Sequence, residues 1–68
     1  MTRMRINGIE EEVAAMTVAE LLAARGVDPA ARFLAIAVNG AVVRRVEWLS
    51  RELASGDTVE IVRPLQGG

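Results

Sequence analysis

The 68-residue chain contains no cysteine and no histidine. Those absences remove disulfide staples, thiolate nucleophiles, the commonest metal ligands and the usual general base. What remains does not suggest an independent enzyme, nor a resident metal or cofactor. All eight basic residues are arginine and none is lysine, so the folded domain offers no side-chain amine as an isopeptide acceptor. A large charge of one sign is also missing. Eight basic against nine acidic residues give a net charge of −1 without a basic cluster, so no nucleic-acid footprint is visible. The longest apolar run, Phe33 to Val38, falls far short of the roughly 20 residues that span a bilayer, and the first residues lack a signal-peptide pattern. A soluble, cytoplasmic protein without membrane or nucleic-acid partners is expected.

What is there must fold with little material. A chain of this length buries only about 60% of its unfolded surface, so the apolar positions have to be well placed. Arg3-Met4-Arg5-Ile6 alternates polar and apolar residues and runs into Asn7-Gly8, the strongest short hairpin signal. It reads as a strand with Met4 and Ile6 inward. Ile9-Glu10-Glu11-Glu12-Val13 then returns antiparallel as an edge strand. Its acidic run is either a solvated face or a patch that steers a partner.

Thr17-Val18-Ala19-Glu20 has capping-box spacing: the Thr17 hydroxyl accepts from the Glu20 amide while the Glu20 carboxylate reaches back to the Thr17 amide. Met16 and Leu21 stand at the two positions of a hydrophobic staple. A helix from about Val18 to Arg25 follows, with Val18, Leu21 and Leu22 on one side and Gly26 placed for a left-handed cap. Asp28-Pro29 opens a single further turn. Leu34-Ala35-Ile36-Ala37-Val38, Asn39-Gly40 and Ala41-Val42-Val43 form a second hairpin, Ile36 and Val38 inward. Ala35 and Ala37 then lie on the other face, small and apolar where polar groups are usual.

From Arg44 to Leu53 the pattern is mixed. Val46, Leu49 and Leu53 are spaced as one helical or 3₁₀ side, and Trp48, the only tryptophan, reads as a rim contact over the end of the core. Ser55-Gly56-Asp57 is a turn. Thr58 to Arg63 is the last strand, Val59 and Ile61 inward, Glu60 and Val62 outward, ended by Pro64. One helix must cover the sheet, and the right-handed crossover preference sets the last strand parallel to the first in its middle. The fold class is therefore α+β: a β-grasp (ubiquitin-like) mixed sheet of four to five strands with one main helix across it. Residues 1–63 form the domain and residues 64–68 a flexible C-terminal tail.

That tail ends on Gly67-Gly68. Two residues without Cβ make the thinnest backbone, suited to threading a partner's narrow active site, although a frayed tail or a cloning scar looks the same. Five blocks supply context: Ile6-Asn7-Gly8, Thr17-Val18-Ala19-Glu20-Leu21-Leu22, Ala37-Val38-Asn39-Gly40, the segment from Val43 to Trp48, and Gly56-Asp57-Thr58-Val59-Glu60-Ile61-Val62 before Gly67-Gly68. In order and spacing they resemble the ubiquitin-like sulfur-carrier proteins of bacteria, the ThiS/MoaD family, most closely its thiamin-biosynthesis branch. The resemblance spans essentially the whole chain. Two departures are visible: Arg44-Arg45 stands where the family often has a proline after the valine, and Ser55-Gly56-Asp57 replaces a common Asp-Gly-Asp. Neither touches the terminus.

The resemblance implies a carrier rather than a catalyst. The Gly68 carboxylate would be adenylated by a separate ThiF-like enzyme, which consumes ATP while the carrier binds no cofactor itself. Sulfur from a cysteine desulfurase or another persulfide source would convert Gly68 to a thiocarboxylate, which donates to a ThiG-like thiazole synthase. Gly67 would keep the approach slim, and Pro64, Leu65 and Gln66 would direct the tail and contact the partner's groove. Val62, Ala35 and Ala37 form a possible docking patch, or else scattered surface apolarity. The alternatives are the small subunit of molybdopterin synthase, which is usually longer, and a β-grasp interaction module with an incidental tail.

Overall fold

The computed structural model describes residues 1–63. Its five strands are β1 (Thr2–Ile6), β2 (Ile9–Val13), β3 (Ala35–Val38), β4 (Ala41–Val43) and β5 (Thr58–Val62), and its α-helix is α1 (Val18–Ala24). They form one sheet in the order β2-β1-β5-β3-β4. β5 lies in the middle, parallel to β1 and antiparallel to β3, as the crossover preference requires.

Both hairpins follow from their Asn-Gly pairs. Asn7 and Gly8 have φ of 52° and 85°, and Asn39 and Gly40 have φ of 53° and 83°, the left-handed pairs that match the twist of the flanking strands. The helix begins with the Thr17 hydroxyl accepting from the Glu20 amide at 3.2 Å. It ends where Gly26 turns left-handed, its amide donating to Ala23 and that of Val27 to Leu22, the paired bonds of a Schellman cap.

Val18, Leu21 and Leu22 of α1 share one buried cluster with Met4 and Ile6 of β1, Ile36 and Val38 of β3, and Val59 and Ile61 of β5. Leu22, Ile6, Val18 and Val59 are completely shielded from solvent. Truncating a residue such as Leu22 to alanine costs about 3 kcal/mol, most of what so small a domain has to spare.

Three local expectations need correction. The Glu20 carboxylate accepts from the Met16 amide at 2.7 Å, not from that of Thr17, one residue further back in a segment that Met16 and Val18 hold to the 51–53 stretch by main-chain bonds around the Thr17–Glu52 bridge. The Met16-Leu21 staple does not form: Met16 is 67% exposed, since the extended segment entering that bridge alternates faces and Ala15 takes the inward one. The third correction concerns the segment after β4. Val46 and Leu49 point to solvent and only Leu53 of that trio is buried, while Trp48 sits in the core rather than on its rim.

The cause is the 3₁₀ turn at Arg45–Glu47. Residues three apart eclipse in such a turn, so Trp48 and Arg45 share the inner side and Val46 and Leu49 the outer. The indole Nε1 donates to the Val43 carbonyl at 2.9 Å. The Arg45 guanidinium lies 4.6 Å above the indole ring and donates to the carbonyls of Pro29 and Ala31. Arg45, one of the two arginines at the proline position, thus pins the loop between α1 and β3. That loop makes the one turn expected at Asp28, whose carboxylate accepts from the Ala30 amide at 2.9 Å.

The glutamates of β2 divide between the two faces. Glu10 and Glu12 share the outer face with Arg3 and Arg5, at N–O distances of 2.8 Å for Arg3–Glu10, 3.7 Å for Arg3–Glu12 and 3.5 Å for Arg5–Glu10. Glu11, on the helix side, meets Arg25 at 3.0 Å. The acidic run is a solvated, charge-matched edge. The hydrogen bond and charge of Arg3 hold the Glu10 carboxyl below its ordinary pKa, and Glu10 in turn raises that of Arg3.

Candidate functional site

The residues that carry the expected chemistry, Gly68 with Gly67, Gln66, Leu65 and Pro64, lie outside the described residues. The structure does define the place from which they extend. β5 ends at Val62 and is followed by Arg63. The strand before the exit is therefore the central one, paired with β1 on one side and β3 on the other.

That pairing is extended by a side chain. β1 stops at Ile6, paired with Val59, and the Asn7 amide still donates to the Val59 carbonyl at 2.9 Å. The Asn7 main chain then turns into the hairpin. Its Oδ1 replaces the missing ladder carbonyl and accepts the Ile61 amide at 2.8 Å. At the other end of β5, Asn39 does the same for the Thr58 amide at 2.9 Å, while its Nδ2 donates to Asp57 at 3.0 Å. Each Asn-Gly pair both makes a hairpin and caps the central strand. The sequence signalled only the first role.

The outer face has two unlike halves. Around β1 and β2 it carries the arginines and glutamates described above. On β3, β4 and the end of β5 it is mostly apolar: Ala35 sits opposite Val62, and Ala37 lies between Val42 on one side and the exposed Glu60 on the other. Val62, Ala35 and Ala37 are thus brought onto one surface. Val42, 76% exposed, extends the patch. Its place in Ala41-Val42-Val43, between an inward-facing pair, is the pattern that would have found it. On the helix side of the exit, Asn7, Ala24, Arg25, Val27, Ile61 and Arg63 line an open cleft of about 300 Å³.

One residue near this exit breaks a local rule. Phe33, two positions before Ala35, has φ of 63° and is 79% exposed. Among the described residues no three His, Cys, Asp or Glu side chains come together, and no helix is long and apolar enough to cross a membrane.

A five-stranded mixed sheet crossed by one helix, its central last strand running out toward the carboxyl end, is the β-grasp of ubiquitin-like proteins. The ThiS family profile matches residues 3–68, and the chain belongs to that family of small ubiquitin-like carriers linked to thiamin biosynthesis. The crystal structure of the thiamine biosynthesis protein ThiS from Geobacter metallireducens superimposes with a TM-score of 0.80 at 28% identity, covering 98% of this chain and 100% of that one. A solution NMR structure of a thiamine biosynthesis protein from Geobacter metallireducens gives the same score and identity, covering 98% of this chain and 88% of that one. No match was found among curated proteins.

Proposed function

We propose that this protein carries sulfur on its carboxyl end for assembly of the thiazole ring of thiamin. The observation that carries the reading is the family match running through residue 68, joined to a central strand that ends at Val62, six residues before Gly68. The Gly68 carboxylate attacks the α-phosphorus of ATP on a ThiF-like enzyme, and pyrophosphate leaves. A carboxylate resists nucleophiles because of its charge and its poor leaving group, whereas AMP leaves readily, which is why ATP is needed. The outer sulfur of a persulfide from a cysteine desulfurase or similar source then displaces AMP at the acyl carbon to give an acyl disulfide. A second thiol cleaves its S–S bond, leaving as a disulfide and releasing the thiocarboxylate. The resulting thiocarboxylate is a strong nucleophile at neutral pH and is delivered to a ThiG-like thiazole synthase.

In this scheme the domain is the handle. Val62, Ala35, Ala37 and Val42 form the surface by which partners recognise it, and Pro64, Leu65 and Gln66 lie in the partner's groove while Gly67 keeps the approach narrow. The carrier needs no cysteine and binds no cofactor, and it works in the cytoplasm beside its ATP-consuming partner. Incubation with ATP, the adenylating enzyme, a persulfide donor and a thiol reductant, followed by fragmentation mass spectrometry, tests the scheme. Sulfur replaces oxygen at Gly68 if it holds. A thiazole synthase that fails to consume the charged protein, while molybdopterin synthase does, would redirect it to the other pathway.

A further inference from the structure

We propose that Phe33 is an aromatic anchor that docks the domain onto the enzyme that adenylates its carboxyl end, an inference that rests on the carrier reading above. Phe33 is the only residue other than glycine and asparagine with positive φ among the described residues. A bulky side chain in the left-handed region is strained, and asparagine or glycine would fit there with less cost. The side chain repays little within the domain, since Phe33 is 79% exposed. A large apolar group held in an unfavourable conformation and left in water does not serve the stability of the free chain.

The mount beneath it is rigid. Leu34, next in sequence, is buried, the Asp28 turn is closed by its own carboxylate, and Arg45 grips the carbonyls of Pro29 and Ala31. Presenting a ring on a fixed loop lowers the ordering cost of inserting it into a partner. The reach of the chain confines the partner to an enzyme that handles the carboxyl end, and on the carrier reading the adenylating enzyme is the first to do so. From Arg63 to the carboxyl end there are five residues, which span at most about 17 Å when fully extended. An enzyme that encloses the Gly68 carboxyl in its active site is therefore brought against the end of the sheet where β5 finishes and β3 starts. Phe33 stands at that end, two residues before the Ala35 that pairs with Val62.

The flanking charge describes the receiving surface. Arg32 precedes the ring and Arg63 follows β5, both exposed, and neither forms an ion pair among the described residues. The complementary site on the adenylating enzyme is an apolar pocket with an acidic rim, where a buried aromatic acts as a hot spot.

The test compares the full-length chain with its Phe33→Asn and Phe33→Tyr variants, measuring thermal unfolding and the steady-state kinetics of adenylation with ATP and the adenylating enzyme. Phe33→Asn relieves the backbone, so its unfolding midpoint rises by about 4 °C or more. Its KM for the carrier rises about ten-fold while kcat stays nearly constant, as expected for lost docking. Phe33→Tyr keeps the KM of the parent. An unchanged KM in Phe33→Asn overturns the proposal, and so does a lowered midpoint, which would make the ring a contributor to the fold. If the parent chain itself is not adenylated, the carrier reading fails, a result distinct from either of these.

Discussion

The side-chain oxygen of Asn7 accepts the backbone amide of Ile61 at 2.8 Å, joining residues 54 apart in the chain. The bond continues the β1–β5 ladder beyond the end of β1 and fixes the last turn of strand before the chain leaves the domain. Asn7→Gly keeps the left-handed turn but removes the acceptor, and should cost about 1 kcal/mol. Asn7→Ala loses both and should cost about 2 kcal/mol. Denaturant unfolding measures the difference, and hydrogen exchange at the Ile61 amide should accelerate in both variants.

Trp48 belongs to the core, 4% exposed with its Nε1 bonded to Val43. Trp48→Phe leaves that carbonyl without the indole donor and shrinks the filling, a loss of about 1–2 kcal/mol. Trp48→Ala removes about 3–5 kcal/mol and should leave the domain largely unfolded by circular dichroism.

The Arg3–Glu10 pair gives a pH signature. The bond and charge of Arg3 lower the Glu10 pKa in the folded state, so the pair contributes above the unfolded value and its contribution is lost as pH falls through the folded one. Both side chains are more than half exposed, so the effect is a small one that salt screens. A carboxyl NMR titration should show the Glu10 midpoint rising in Arg3→Ala. The stability difference that the pair makes between the two proteins should vanish once pH falls below the lowered midpoint of the parent.

The apolar half of the sheet is expected to bind without supporting the fold. Val62 is 57% exposed, so Val62→Glu should leave the unfolding midpoint nearly unchanged. The same charge facing a partner's apolar surface should raise the KM for the carrier about ten-fold. Equal KM values for Val62→Glu and the parent chain would return Val62, Ala35 and Ala37 to scattered surface apolarity.

Much of this was legible in the sequence because the patterns were short-range. Two Asn-Gly turns, the Thr17–Glu20 spacing and the period-two strands each signal themselves within a few residues, and one crossover rule then orders the sheet. The errors came where a distant partner decided. Glu20 bonds Met16 in a segment whose path the distant 51–53 stretch sets, and Trp48 turned inward because the Arg45–Glu47 turn has a three-residue period and Val43 offers an acceptor. The same limit hid the site's supports. Nothing near Asn7 announces Ile61, and nothing near Phe33 announces the strain in its backbone. The outward alanines were visible as an anomaly of pattern, but their grouping with Val42 and Val62 needed the strand register.

The most direct test is the intact mass of the protein after incubation with ATP, its adenylating enzyme, a persulfide donor and a thiol reductant. The carrier account predicts a gain equal to the difference between sulfur and oxygen, located at Gly68 and abolished when Gly68 is deleted from a chain that still folds. An unchanged mass, or sulfur acquired equally well by the shortened chain, would contradict it.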